Sequence, residues 1–321
     1  MSNRRSFIKT SAAAAAGLGI SSSLSASILS PSRVLGANDR INVALIGCRN
    51  MGWYDLEDIL KQPNVECHTL CDVDGNVLED KLKNFPMNAG PTPNITMDYR
   101  MVLDNKDIDA VIIGTPDHWH CLPTVEACEA GKHVYVEKPL ANSVGEINVM
   151  LDAARKYKSL VQVGQQQRSG SHWLSAINFV KSGKLGTIRQ VKFWGNFNYG
   201  AGNMPVPDSE VPEGVDYDRW LGPAPKRPFN KNRFHGSWRM FRDYGGGLLS
   251  DWGVHLIDMG LWAMDVKSAP VSVQALGGNF ASQDRALEMP DTLSVLYEMD
   301  GYNMIWEHNG GVERGPYDQS Y

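Results

Sequence analysis

Ile41-Asn42-Val43-Ala44-Leu45-Ile46-Gly47-Cys48-Arg49-Asn50-Met51-Gly52 is the stretch on which the fold turns. A short apolar run, Ile41–Ile46, reads as a buried strand, and it breaks at a glycine before the helical stretch Met51–Lys61. A strand that turns through glycines into a helix is how a dinucleotide-binding βαβ unit begins. Gly47 and Gly52 hold the first and third glycine positions of that fingerprint. Arg49 stands at the second, where glycine normally lets backbone approach a pyrophosphate, with Asn50 and Met51 completing the turn. Alone, this would pass for a plain strand-to-helix turn. The support comes from Asp72, at the end of a second apolar run, Val65–Cys71. A carboxylate there accepts hydrogen bonds from the adenosine ribose hydroxyls and repels a 2′-phosphate, favouring NAD. The charge of Arg49 can pair with phosphate and keeps NADP open.

Working outward, apolar runs alternate with helical stretches: Val111–Gly114, helix Leu122–Ala130, Val134–Val136, helix Val144–Lys156 and Leu160–Val163. Alternating β and α units predict a doubly wound parallel sheet, a Rossmann domain over residues 38–164. After Gly164 the rhythm changes. A helix over Trp173–Ser182 precedes a strand, Ile188–Phe197. A Pro-, Arg- and aromatic-rich segment from Asn198 to Gly247 is too long for an idle connection. A helix over Leu249–Ala263 and strands Val271–Leu276, Thr292–Met299 and Tyr302–His308 follow, with Asp300-Gly301 turning the last hairpin. The fold class is therefore α/β, with a second α+β domain over 165–321 built on an open, mostly antiparallel sheet. The sequence stops at Tyr321 just after a strand, so that sheet is expected to lack its last strands or to be covered by a partner.

Composition excludes several functions. A net charge of −5 gives no electrostatic reason to expect nucleic acid or an anionic membrane, and beyond the amino terminus no apolar run is long enough to span a bilayer. Arg4-Arg5-Ser6-Phe7-Ile8-Lys9, then an alanine-rich apolar stretch and a serine-rich one, resembles a twin-arginine export signal over residues 1–37. That predicts a periplasmic protein. The five cysteines are an odd number and make no disulfide framework. Cys67 and Cys71, inside an apolar run, are read as core.

Four segments carry chemistry. Val134-Tyr135-Val136-Glu137-Lys138-Pro139-Leu140 places Glu137 and Lys138 at the carboxyl edge of a late strand, where a lysine points into the ligand crevice. Thr115-Pro116-Asp117-His118-Trp119-His120 follows the strand over Val111–Ile113, so Thr115, Pro116, His118 and His120 are read as rim contacts to the nicotinamide half. A metal is not expected, because His-x-His-Cys lacks partners at ligand spacing, and Asp72-Val73-Asp74-Gly75 lacks the later ligands of a calcium loop. Asp251, His255 and Asp258 fall at i, i+4 and i+7 of the helix opened by Gly245-Gly246-Gly247, on one face. A neutral histidine there suits removal of an alcohol proton, although a structural His–Asp pair would give the same spacing. The long segment adds Tyr199, Trp220, Arg233, Trp238, Arg239 and Arg242 as sugar-stacking and hydroxyl-binding candidates, although much of this aromatic content is packing.

Together these motifs, with Ala130-Gly131-Lys132-His133, Gln167-Arg168 and Trp220-Leu221-Gly222, resemble the glucose–fructose oxidoreductase / inositol dehydrogenase / MocA family from Arg40 onward. The resemblance implies a Rossmann domain joined to a domain whose open sheet often forms the oligomer interface. It assigns Lys138, Asp251 and His255 to catalysis, with Lys138 on the reacting oxygen and His255 as acid/base. Gln167 joins the cofactor contacts, and Arg168 the substrate contacts. A pyranose or cyclitol substrate is implied. Arg49 and the missing end of the sheet depart from the family pattern. The expected function is an exported, NAD-dependent sugar oxidoreductase. The alternatives are a redox-neutral NAD-dependent glycosidase or lyase, and a non-catalytic sugar binder.

Overall fold

The computed structural model describes residues 40–87 and 89–312; the segment read as an export signal lies outside the described residues. Six parallel strands form the first sheet: β1 (Ile41–Ile46), β2 (Val65–Cys71), β3 (Asn94–Thr96), β4 (Ala110–Ile113), β5 (His133–Glu137) and β6 (Val161–Gly164), in the order β3-β2-β1-β4-β5-β6. The three-residue β3 was not expected, being too short and too polar to stand out from a loop. The strand alternation sorts side chains to two faces. Ala44, Ile46, Val111, Ile113, Val134 and Val136 pack in one core, while Val43, Leu45, Cys67, Leu70 and Ile112 pack in another on the opposite side. Both faces are covered, which is why these runs read as continuously apolar rather than alternating. Strand order reverses between β1 and β4, and the crevice outside their carboxyl ends is the ligand position of such sheets.

The second sheet is four-stranded: β7 (Gln190–Trp194), β8 (Ser272–Gly278), β9 (Thr292–Met299) and β10 (Tyr302–Asn309), ordered β7-β10-β9-β8. The β8–β9 and β9–β10 pairs are antiparallel, and β7 pairs with β10 in parallel. The strand expected over Ile188–Phe197 is confined to β7, and the chain enters a helical turn at Asn198–Ala201.

The segment between Asn198 and Gly247 has one α-helix, Tyr217–Leu221, and a few 3-10 turns. Aromatic packing holds it together. Tyr217, Trp220, Phe229, Phe234, Trp238, Phe241 and Tyr244 form a buried cluster, with Tyr217 stacked on Trp220 at 5.6 Å. Each such pair adds roughly 0.5–1.5 kcal/mol beyond area burial, enough together to order a segment with little regular structure. Backbone bonds fasten it to the Rossmann sheet, Asp216 N–H to the Val73 carbonyl and Gly75 N–H to the Gly214 carbonyl, both at 2.8 Å. It thereby closes one side of the crevice.

Candidate active site

The dinucleotide end of the crevice is made of backbone. Gly47 has φ +90°, and a Cβ there would lie 2.7 Å from the backbone of Gly114 and Thr115. A Cβ on Gly114 would overlap the Cα of Gly52. The crowded point is thus met by Gly47, Gly52 and Gly114, the last from the end of β4. Arg49 needs no glycine freedom: its φ of −105° and ψ of 163° are extended, and the left-handed position falls on Asn50, at φ 41°. The helix Asn50–Ile59 starts with no side chain capping it, so its first N–H groups are available to an anion. Gly47, Arg49, Asn50, Met51 and Asp72 line the crevice, whereas Gly52 lies beneath it among the strand ends. One Asp72 oxygen accepts from Cys48 N–H at 2.8 Å and the other from Asp74 N–H at 3.0 Å. Burial raises its pKa to about 6 in spite of those bonds. A glycine cradle, an uncapped helix start and a carboxylate at the second strand end fit a dinucleotide.

Thr115 and Pro116 also line the crevice, but His118 and His120 lie in the interior and not in its wall. His118 Nε2 is 3.0 Å from the Trp220 carbonyl. His120 sits between the Pro139 carbonyl (2.6 Å) and the Thr115 carbonyl (2.9 Å), tying together two turns of the rim. Burial holds both imidazoles down, to about 4. Their structural position is that of braces, because His120 meets backbone carbonyls with both ring nitrogens and His118 with Nε2. Among the described residues no three His, Cys, Asp or Glu side chains are grouped to hold a metal.

At the other end the wall becomes charged. Lys138, which precedes a cis Pro139, places Nζ 2.5 Å from Asp251 Oδ1 and 2.9 Å from the Asp251 carbonyl. Arg239 Nε is 3.2 Å from the same Oδ1, and Tyr199 donates its hydroxyl to Oδ2 at 2.7 Å. Burial pushes the Asp251 carboxyl up, but the charges of Arg239 and Lys138 win and hold it at about 2. Arg239 also stacks on Trp238, 4.3 Å from the ring centre. Lys138, Trp238 and Arg239 line the crevice; Asp251, Tyr199 and His255 do not.

The helix carrying Asp251 and His255 is not one regular helix. Leu249–Gly253 is a π turn, and α-helix begins only at Val254. Asp251 therefore sits on a wider turn than the i, i+4 spacing presumes. His255 is buried, its Nδ1 has no partner among the described residues, and it makes no hydrogen bond to Asp251. Burial and the nearby Lys138 charge lower it to about 4, so it is neutral at pH 7. Arg168 holds Asp258 through two bonds of 2.7 Å, outside the crevice wall, and Gln167 accepts from Trp173 Nε1 at 2.8 Å.

Sequence reasoning missed two groups. Asp55, on the first helix, packs its carboxyl against Glu137, to which Gln166 also donates. Burial, and for Glu137 the charge of Asp55 as well, raises these groups to about 6 and about 7. Asp117 lines the crevice although only 3% exposed. No local pattern marks either group, since each is assembled from separate elements.

Known proteins agree with this architecture. Residues 41–165 match the NAD-binding Rossmann fold, and residues 178–317 the C-terminal alpha/beta domain, of one oxidoreductase family. The chain belongs to that family, the one named for glucose–fructose oxidoreductase, inositol dehydrogenase and MocA. A glycosyl hydrolase family 109 protein of Shewanella baltica is 30% identical over 202 residues, which is 58% of this chain and 44% of that protein. The chain thus spans less than half the length of such curated relatives. Among solved structures, GenD2 from gentamicin A biosynthesis, in complex with NAD, has a TM-score of 0.67 at 22% identity, covering 93% of this chain and 70% of that one. The WlbA dehydrogenase of Chromobacterium violaceum, in complex with NADH and UDP-GlcNAcA, has a TM-score of 0.64 at 23% identity, covering 84% and 67%. These two likenesses concern the fold.

Proposed function

We propose that the protein transfers hydride between a hydroxyl-bearing carbon of a sugar or cyclitol and NAD. The observation that carries this is the Lys138–Asp251–Arg239 cluster at the far end of a crevice whose near end fits a dinucleotide. Bound nicotinamide supplies the hydride acceptor or donor. Lys138 binds and polarises the reacting oxygen. Asp251, kept ionised by its two cations, fixes the Lys138 amine. His255, neutral near pH 7, is assigned the hydroxyl proton by the family resemblance alone, since the ring itself lies behind the crevice wall. Trp238 supplies an aromatic face, and Arg239 a donor, for a polyhydroxylated ring, while Tyr199 holds Asp251. Asp72 favours NAD over NADP.

The similarity to glycosyl hydrolase family 109 proteins supports a second reading, a redox-neutral glycosidase or lyase that oxidises a sugar transiently, eliminates and reduces it again. We further propose export of the folded protein through the twin-arginine segment, and self-association through the carboxy-terminal sheet. To separate the two chemistries, bound nucleotide is quantified in the full-length protein, which is then offered free sugars and aryl glycosides. NADH accumulating with substrate identifies a dehydrogenase; aglycone release without net NADH identifies the glycosidase. Neither signal leaves a sugar binder. Replacing Arg4 and Arg5 with lysine should abolish periplasmic accumulation, and undiminished export would overturn the signal.

A further inference from the structure

We propose that Asp117 is a substrate-binding residue of the reaction site and that its un-ionised carboxyl donates a hydrogen bond to a substrate oxygen. This rests on the function proposed above and deepens it. Asp117 follows Thr115-Pro116 at the end of β4, and it lines the crevice with Lys138, Trp238 and Arg239. The carboxyl is received by a glycine: a Cβ on Gly245 would lie 3.2 Å from Asp117 Oδ2. A buried carboxylate ordinarily takes an ion-pair partner or several donors. Among the described residues Asp117 makes no ion pair, and no other side chain donates to it, because Lys138 and Arg239 are both turned to Asp251. A carboxyl deprived of its cations and facing a cavity is stable as the neutral acid, which is a donor.

The groups that act on it are those of its surroundings. Burial raises its pKa to about 8; Arg239 opposes this, Asp251 adds to it, and Lys138 opposes it. His118, on the same turn, is held neutral by burial and adds no cation near pH 7; burial also lowers His120, against its two carbonyl contacts, which favour the charged ring. Asp251 and Asp117 thus divide two roles: the first is ionised and fixes Lys138, the second is neutral and faces the ligand. Environments that push two acids apart in this way assign them different tasks. For a polyhydroxylated substrate, a neutral acid supplies a donor where Lys138 already serves the reacting oxygen. Its target is therefore a different oxygen, a neighbouring hydroxyl or a ring or glycosidic oxygen.

The test uses the NAD-loaded full-length protein. Asp117→Ala should lower kcat/KM about tenfold at pH 7, the scale of one hydrogen bond to substrate, mostly through KM and with nucleotide retained. Asp117→Asn keeps a donor and should recover most of that loss. The wild type should lose activity above about pH 8 as the acid ionises, and Asp117→Asn should lose that alkaline limb. Independently of turnover, the infrared difference between wild type and Asp117→Asn should show a protonated-carboxyl band that fades through the same pH range. An Asp117→Ala enzyme with unchanged kcat/KM, an alkaline limb that persists in Asp117→Asn, or no protonated band at pH 7 would each overturn the proposal. A wild type that turns over no sugar but shows the band would defeat the proposed function and the substrate role together. Turnover without the band would defeat the Asp117 role alone.

Discussion

The two ends of the crevice are built from different materials. The dinucleotide end is backbone: three glycines at one crossing, an uncapped helix start and a carboxylate whose two oxygens are held by N–H groups. The proposed reaction end is side chain: two cations and a tyrosine converge on Asp251, and the same wall holds Asp117, a second acid with no ion pair among the described residues. Backbone cradles tolerate almost any residue that leaves φ and Cβ space intact, which is why Arg49 can stand where a glycine was expected. Charged clusters have the opposite property. Each member sets the charge state of the next, so a single replacement disturbs the whole.

That contrast can be broken at either end. The largest effect is expected from Lys138→Ala, which removes the group proposed to hold the reacting oxygen and one of the two cations of buried Asp251. Turnover should fall by about 10²–10³-fold, with NAD still bound. If nucleotide is lost as well, the two ends are not separable. Gly114→Ala should do the reverse, since its Cβ would meet the Gly52 backbone. A destabilisation of about 1–3 kcal/mol in chemical unfolding, together with lost NAD affinity, is expected from overpacking against atoms that cannot give way. An unchanged Kd for NAD would mean that the three-glycine crossing is not what admits the cofactor.

The smallest effect concerns the carboxyl pair of Asp55 and Glu137, just below Lys138. Both have folded-state pKa values raised above the ordinary range, to about 6 and about 7. A raised acid pKa means the folded state holds its proton longer than the unfolded chain. Stability from this pair is thus complete below about pH 4 and declines as pH rises toward 7. Asp55→Asn relieves the repulsion, so its melting temperature should exceed the wild type's by about 2–4 °C at pH 8 and match it near pH 4. A shift that is the same at both pH values would show that the pair does not share a proton.

The doubly wound sheet was legible because its runs are apolar on both faces and its glycines fall at strand ends. The mixed second sheet was half legible: the β9–β10 hairpin announces itself at Asp300-Gly301, but nothing local reveals that β7 joins β10 in parallel. His118 and His120 looked like ligand contacts because histidines on a rim usually are. Their carbonyl partners, one of them in the segment around Trp220, pull them inward instead. The Asp251/His255 spacing was visible, but the π turn that alters it was not.

By itself the sequence determined the Rossmann half, the place of Asp72 and the strand-end position of Lys138, because hydrophobic periodicity and glycine placement are local signals. Only the tertiary structure decided which charges meet. It brought Lys138 and Asp251 together across 113 residues, added Arg239 and Tyr199, and left Asp117 with no ion pair among the described residues. Charge state depends on distance and burial, and both exist only once the chain is folded.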